Sequence, residues 1–183
     1  SAALQKLLQR YAREHMRIIF NGDNYSAEWA GEAARRGLPN ITNTVDSLAT
    51  VTGPENAAVL SKHGVLSQGE LEARQEILFE NYSMVIGIEG RTALQMAKRQ
   101  ILPVAAEYAA KLARSVTAIR EAGIEPDAQV EMLADVCTLV AALKAGTCQL
   151  EIAITEADGI EHAKEKAVAS RDRIVPTMAA VRE

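Results

Sequence analysis

Residues 135–159, DVCTLVAALKAGTCQLEIAITEADG, carry the pattern that decides the fold. The apolar side of this segment advances in alternating steps of four and three residues, which is the heptad spacing of helices that pack lengthwise against one another. The positions on that side are Val136, Val140, Leu143, Thr147, Leu150 and Ile154. Asp158-Gly159 ends the helix, and a similar rhythm continues from Ile160 to Val181. Consecutive helices with this spacing and a short turn between them predict antiparallel packing in a bundle.

The composition of the whole chain also favours helices. The 183 residues are 48% hydrophobic but only 4% aromatic, and alanine and leucine supply most of the apolar mass. Five prolines and eleven glycines leave little material for the turns that join β-strands. We therefore predict an all-α protein, an antiparallel bundle of long helices with a kinked long helix and short N-terminal helices.

The capping-box pattern of residues 67–70, SQGE, predicts the start of a very long helix. No strong stop signal follows until Gly123, so this helix would span about 54 residues and roughly 80 Å. Gly87 and Gly90 are expected to weaken its middle. Pro103 is expected to kink it, because proline lacks the backbone donor that a helix interior needs.

Residues 1–66 are predicted to form short helices joined by loops. The first helix has apolar residues at helical spacing and ends at the Asn-Gly pair of residues 21–22. Those on its apolar side are Leu4, Leu7, Leu8, Tyr11, His15, Ile18 and Ile19. Ser26 is predicted to cap a second helix, which the Arg-Arg-Gly run of residues 35–37 ends. Residues 67–183 form the predicted long-helix bundle, and we expect both regions to make one compact unit.

Charge and composition exclude several classes of function. The net charge is −4 and no basic block stands out, so we predict no nucleic-acid partner. No apolar run approaches the roughly 20 residues that span a bilayer, so we predict no membrane partner. The first residues lack a signal-peptide pattern, and two cysteines make no disulfide framework, which favours the cytoplasm. The chain begins at Ser1 without Met and reads as helical from there, so we interpret it as a piece of a longer protein.

None of the common catalytic motifs occurs in the chain. The phosphate-binding loop, the dinucleotide-binding glycine pattern, the nucleophile elbow and the zinc-protease motif are all missing from the sequence. No histidine follows a glutamate by three residues, the spacing that a di-metal helical bundle uses. We therefore predict no catalytic, cofactor-binding or metal-ligating residue in this chain.

Eight chemically versatile side chains have a structural interpretation instead. Three histidines are interpreted as packed or capping residues, and two cysteines as buried apolar side chains about 16 Å apart on one helix. Three glutamates are interpreted as a solvated or interface face, with an acidic patch as the alternative. The residues are His15, His63 and His162, Cys137 and Cys148, and Glu76, Glu80 and Glu89.

The segment at residues 20–40, FNGDNYSAEWAGEAARRGLPN, holds the one tryptophan of the chain. Capping chemistry accounts for its glycines, asparagines and proline, which predicts a structural corner between two helices. Several of its residues are more polar than a bare corner needs, so the alternative is an interface or a loop close to an active site. The candidates are Asn21, Asp23, Asn24, Tyr25 and Trp29. Trp29 is expected to anchor its short helix to the bundle, with a partner interface as the alternative.

Four segments of the chain resemble, in the same order, type III glutamine synthetases, the long form found in many bacteria. They are RIIFNGDNYSAEWAGEAARRGLPN, KHGVLSQGELEARQEILFENY, MAKRQILPVAAEY and RDRIVPTMAAVRE. The resemblance covers the chain from about Arg13 to Glu183. The run GIEGRT at residues 87–92 departs from the family pattern, since a helix-favouring residue is expected at Gly90.

The resemblance implies a C-terminal helical accessory and assembly domain, non-catalytic by itself, that residues 1–66 connect to a catalytic barrel. The parent enzyme would make glutamine from glutamate and ammonia with ATP and a divalent metal, Mg or Mn, in the bacterial cytoplasm. Its partners would be the rest of its own chain and identical subunits in a ring-shaped homo-oligomer. No catalytic residue carries over, and the loop with Asn24 and Tyr25 would pack against the barrel or a neighbouring subunit. The alternatives are a stand-alone helical interaction module and a small regulatory bundle that binds a nucleotide or an amino acid.

Overall fold

The computed structural model describes residues 2–16 and 19–183. Ile18, which the sequence places on the apolar side of the first helix, lies outside these ranges. Every regular element within them is helical, which confirms the all-α prediction. The α-helices are α1 (Ala2–Glu14), α2 (Ala27–Arg35), α3 (Thr44–Ala49), α4 (Pro54–Lys62), α5 (Gln68–Met96), α6 (Leu102–Glu121), α7 (Asp127–Asp158), α8 (Ala163–Ala169) and α9 (Val175–Arg182). A first π turn (Ala97–Ile101) joins α5 to α6, and a second π turn (Ser170–Ile174) joins α8 to α9.

The contacts divide the chain into two compact units, residues 1–43 and residues 44–183. Helices α3 and α4 pack against α5 and are therefore grouped with the second unit, while the division after residue 66 stays a prediction. Val45 of α3 lies in a small buried cluster with Phe79 of α5 and Ala167 of α8. Burial of these apolar side chains holds α3 against the rest of the second unit.

The second unit is built on three long rods. The first consists of α5, the first π turn and α6, the second is α7, and the third consists of α8, the second π turn and α9. Helix α7 packs against α6, α9 and the second π turn, while α8 packs against α5. Since short turns join rods that pack on each other, neighbouring rods run antiparallel. The main core contains Leu150, Ala153, Ile154, Ala157, Ala169, Ile174 and Met178.

The heptad side of α7 faces its neighbours as the sequence predicts. Thr147, Leu150 and Ile154 are buried, and the three earlier positions, Val136, Val140 and Leu143, are half-buried. Burial increases along α7 because the main core, in which α7 packs against the third rod, begins at Leu150 and continues toward the end of the helix. The pattern of residues 135–159 therefore gives both the helix and its inward side.

A π turn precedes the proline in each of the first and third rods. The predicted interruption at Pro103 takes the form of the first π turn, after which α6 continues with the proline in its first turn. The second π turn stands in the same position before Pro176, and no pattern in the sequence predicts it. A π turn adds one residue to a helical turn. The proline then lies in the first turn of the next helix, where its missing backbone N–H is tolerated, and the rod continues.

Gly87 and Gly90 do not interrupt α5, which runs continuously from Gln68 to Met96. Gly90 is required by packing: a Cβ atom there would lie 2.9 Å from Cγ2 of Ile174 and 3.3 Å from Cδ1 of Ile154. Helix α5 thus continues through both glycines, and Gly90 lets the three rods approach closely at the core.

Helix α7 is long and apolar enough, by length and composition, to cross a membrane. The prediction that no apolar segment approaches the length of a membrane span is wrong for α7. Lys144 and Glu151 interrupt its apolar sequence, but the segment around them stays apolar on average. One helix of this kind is weak evidence for a membrane span, since core helices pass the same test. In the second unit, α7 supplies the core residues Leu150 and Ile154, and Glu151 pairs with Lys98 at 2.6 Å.

Candidate interaction site

A closely hydrogen-bonded corner connects α1 to α2. The Asp23 carbonyl accepts from the Ser26 amide at 3.1 Å and from Ser26 Oγ at 2.7 Å. Asp23 Oδ1 accepts from the Tyr25 amide at 2.9 Å, and Ser26 Oγ accepts from the Trp29 amide at 3.3 Å. Ser26 is therefore the N-cap of α2, as the sequence predicts. These bonds account structurally for Asp23 and Ser26.

The aromatic rings of Phe20 and Trp29 and the guanidinium group of Arg36 form a cluster next to this corner. The rings of Phe20 and Trp29 are 4.8 Å apart between centroids. The guanidinium carbon of Arg36 lies 6.0 Å from the Phe20 ring and 5.9 Å from the Trp29 ring, within the range of cation–π attraction. Gly22 makes this arrangement possible, because a Cβ atom there would lie 2.5 Å from the Phe20 ring. Trp29 thus anchors the start of α2 to the preceding loop.

Glu32 holds two arginines at the end of α2. Arg35 donates to its carboxylate from Nε at 2.6 Å and from Nη2 at 2.5 Å, and Arg36 donates to it from Nε. These hydrogen bonds from Arg35 and Arg36 lower the pKa of Glu32 from 4.5 to about 2. Arg36 also donates from Nη1 to the carbonyl oxygens of Ile19 and Met16, so it fastens the loop to α2.

The structure brings four of the five candidate residues into one exposed loop. Asn21, Asp23, Asn24 and Tyr25 are exposed, and the Tyr25 side chain is 99% exposed, while Trp29 is half-buried. Hydrogen bonds fix the backbone of this loop, and the loop presents the Tyr25 side chain, an aromatic ring with a hydroxyl group, to solvent. Sequence reasoning missed Phe20, Glu32 and Arg36, although the Arg-Arg pair one turn after an acidic residue is a signal for an i,i+3 and i,i+4 ion pair.

An apolar groove of about 760 Å³ lies on the second unit, between α5, the first π turn, α7 and α9. Ile88, Ile101 and Leu139 contribute exposed side chains to it. A smaller cavity of about 360 Å³ has a mixed polar and apolar lining, and Arg91 and Asp158 form an ion pair of 2.5 Å on its wall. The second unit therefore offers an apolar groove and a smaller cavity with an ion pair on its wall.

The chemically versatile residues do not converge on a reaction centre. Among the residues that the structure describes, no group of three or more His, Cys, Asp or Glu is placed to hold a metal ion. His15, His63 and His162 are exposed; His63 occupies the C-cap position of α4 and His162 the N-cap position of α8, where its side chain makes no capping hydrogen bond. Glu76, Glu80 and Glu89 are also exposed, as expected for a solvated face.

The prediction that Cys137 and Cys148 are buried is wrong, because both are free and exposed. They share one side of α7, and that side lies next to the heptad positions rather than on them. The rods that pack on α7 cover Thr147 and Leu150 and leave the cysteine side open.

Residues 3–120 match the family model described as the glutamine synthetase C-terminal domain. The chain is 29% identical over 187 residues to a type-3 glutamine synthetase of Dictyostelium discoideum, covering 99% of this chain and 25% of the relative. It is 32% identical over 172 residues to a glutamine synthetase of Bacteroides fragilis (strain YCH46), covering 91% of this chain and 24% of the relative. A glutamine synthetase of Butyrivibrio fibrisolvens is 33% identical over 113 residues, 62% of this chain and 16% of the relative.

The chain thus spans about a quarter of the length of the first two relatives. The family model covers more than half of the chain, and its match includes the exposed corner and the start of the bundle. The chain belongs to the glutamine synthetase C-terminal domain family.

Proposed function

We propose that this chain is the accessory and assembly domain of a longer glutamine synthetase. The parent enzyme would join ammonia to glutamate with ATP and a divalent metal ion, Mg or Mn, and identical subunits would form a ring-shaped homo-oligomer. The observation that carries the proposal is the coverage: almost the whole chain aligns with only a quarter of a type-3 glutamine synthetase. Residues for ATP, metal and chemistry would then lie in the other three quarters of the parent.

The surface of the chain supports a role in contacts. The apolar groove of the second unit and the exposed Tyr25 loop of the first each present side chains that an interface would bury. In the proposal, Asn21, Asp23, Asn24, Tyr25 and Trp29 form a contact with the catalytic part or with a neighbouring subunit. Within the second unit, long rods with a buried core would keep a contact made through the groove in a fixed geometry.

The free cysteines suit a reducing compartment, and we place the parent enzyme in the cytoplasm. Two of the three relatives above come from bacteria, which supports a bacterial source. The third comes from Dictyostelium discoideum, so the family is not confined to bacteria.

The test compares the full-length parent enzyme with a version that lacks residues 44–183. Light scattering after gel filtration gives the mass of each assembly, and glutamine formation gives the turnover. We expect the shortened enzyme to form smaller species and to lose activity as its assembly fails. We expect the 183-residue chain alone to form no glutamine and to show no heat of binding with ATP or glutamate. A shortened enzyme with unchanged mass and turnover would contradict the proposal, as would glutamine formation by the isolated chain.

A further inference from the structure

Helix α1 carries an apolar side that the other described residues of the first unit leave exposed. Leu4, Leu7, Leu8 and Tyr11 lie at positions i, i+3, i+4 and i+7, which places them on one side of the helix. These side chains are 55%, 40%, 60% and 48% exposed, and α1 contains no buried residue. His15 extends the same side, with its ring stacked on Tyr11 at 6.1 Å between centroids.

The opposite side of α1 is polar. Lys6, Gln9 and Arg13 lie there, about half a turn away from Leu4 and Tyr11. The helix therefore has one side suited to water and one suited to a protein surface. The spacing of its apolar side chains is that of helices that dock into apolar grooves.

A helix of 13 residues has little stability of its own. Isolated helices shorter than about 12–15 residues are marginal in water, and most helical stability in proteins comes from packing an apolar side. The ion pair between Arg10 and Glu14, at 3.7 Å with both side chains more than half exposed, adds little. Helix α1 therefore needs a covering surface to stay ordered.

We infer that the apolar side of α1 docks on the part of the parent chain outside these 183 residues, so that α1 fastens the accessory domain to the catalytic part. This inference rests on the proposed function. The family match begins at residue 3, so α1 belongs to the family domain and is not a foreign extension. Three quarters of a relative's length lies outside the aligned region, which supplies the covering surface. That surface is expected to be apolar where it meets Leu4, Leu7 and Leu8, while the guanidinium carbon of Arg10, 5.3 Å from the Tyr11 ring, lies at the border of the apolar side.

The test measures amide hydrogen exchange of α1 in the full-length parent enzyme and in the 183-residue chain alone. We expect exchange in α1 to be slower in the parent by on the order of 100-fold, since docking removes local opening. The double variant Leu4→Glu, Leu8→Glu should remove this protection in the parent. The matched control Lys6→Gln, Gln9→Glu changes the net charge by the same amount on the opposite, polar side and should keep it.

Three outcomes would overturn the inference. They are equally fast exchange of α1 in both proteins, equal loss of protection in both double variants, and protection in the isolated chain that rises with its concentration, which would show self-association. The deletion of residues 44–183 tests the assembly role separately. If that deletion breaks the assembly while α1 exchanges freely in the parent, the proposed function stands and only the docking of α1 is refuted.

Discussion

Replacing Gly90 by alanine tests whether close packing or helix propensity decides the residue at this position. Alanine suits a helix interior better than glycine by about 1 kcal/mol, so propensity alone predicts a more stable protein. The structure predicts the reverse. The new Cβ atom would lie 2.9 Å from Ile174 Cγ2 and 3.3 Å from Ile154 Cδ1, and both neighbours are buried core side chains.

The magnitude follows from the two opposing effects. Overpacking a filled core costs about 1–3 kcal/mol, and the propensity gain offsets about 1 kcal/mol of this. We therefore expect Gly90→Ala to lower the free energy of unfolding by about 0–2 kcal/mol. Gly87→Ala is the matched control in the same helix, because its Cβ atom would meet only the guanidinium end of Arg91 at 3.0 Å, which can shift. We expect that variant to equal or exceed the wild type in stability.

The assay is urea unfolding of the 183-residue chain, followed by far-ultraviolet circular dichroism. Ile154→Val removes the Cδ1 atom that the new Cβ would approach, so its cost should be smaller in the Gly90→Ala background than in the wild type. If Gly90→Ala is about 1 kcal/mol more stable than the wild type, as propensity alone requires, the packing argument is refuted. Additivity of the two substitutions would refute the contact with Ile154.

Three further predictions concern the surface. Tyr25→Ala should change the free energy of unfolding of the isolated chain by less than about 0.5 kcal/mol, since the side chain is 99% exposed. In the parent enzyme the same variant should weaken assembly, which light scattering measures as a lower mass. Unchanged assembly would argue against the loop as a contact. The pKa of Glu32 is lowered from 4.5 to about 2, so its carboxylate stabilises the fold above pH 4.5, and this contribution is lost as the pH falls toward 2. Glu32→Gln should therefore show a shallower loss of stability across this pH range in urea unfolding, and an unchanged slope would contradict the ion pair. Cys137 and Cys148 are exposed, so both should react with a chromogenic disulfide reagent without denaturant, whereas slow reaction that urea accelerates would indicate burial.

The sequence predicts the elements whose signals are local. The heptad positions of α7, the capping box that begins α5 and the Ser26 cap of α2 all depend on residues a few positions apart, and the structure confirms each of them. The capping box, for example, joins Ser67 and Glu70 through backbone and side-chain bonds of one turn. Such patterns can be read from one sequence because they need no knowledge of the neighbours.

Features that depend on distant segments could not be predicted in this way. The requirement for Gly90 arises from Ile154 and Ile174, which are more than 60 residues away in sequence. The exposure of Cys137 and Cys148 depends on which side of α7 the other rods cover, while the preference of cysteine for burial is only a statistical tendency. The ring cluster around Arg36 likewise depends on a loop that returns to the end of α2.

The two π turns show how the fold keeps prolines within long rods. An α-helix that meets a proline loses one backbone hydrogen bond and crowds the carbonyl four residues earlier, which breaks or bends the rod. Here a π turn of five residues directly precedes the proline-containing turn in both the first and the third rod, at Pro103 and at Pro176. The second π turn also supplies Ile174, the side chain against which Gly90 packs. The widened turn thus places the core residue Ile174 where the third rod meets Gly90 of the first. The same turn that accommodates Pro176 therefore also contributes to the packing of the bundle.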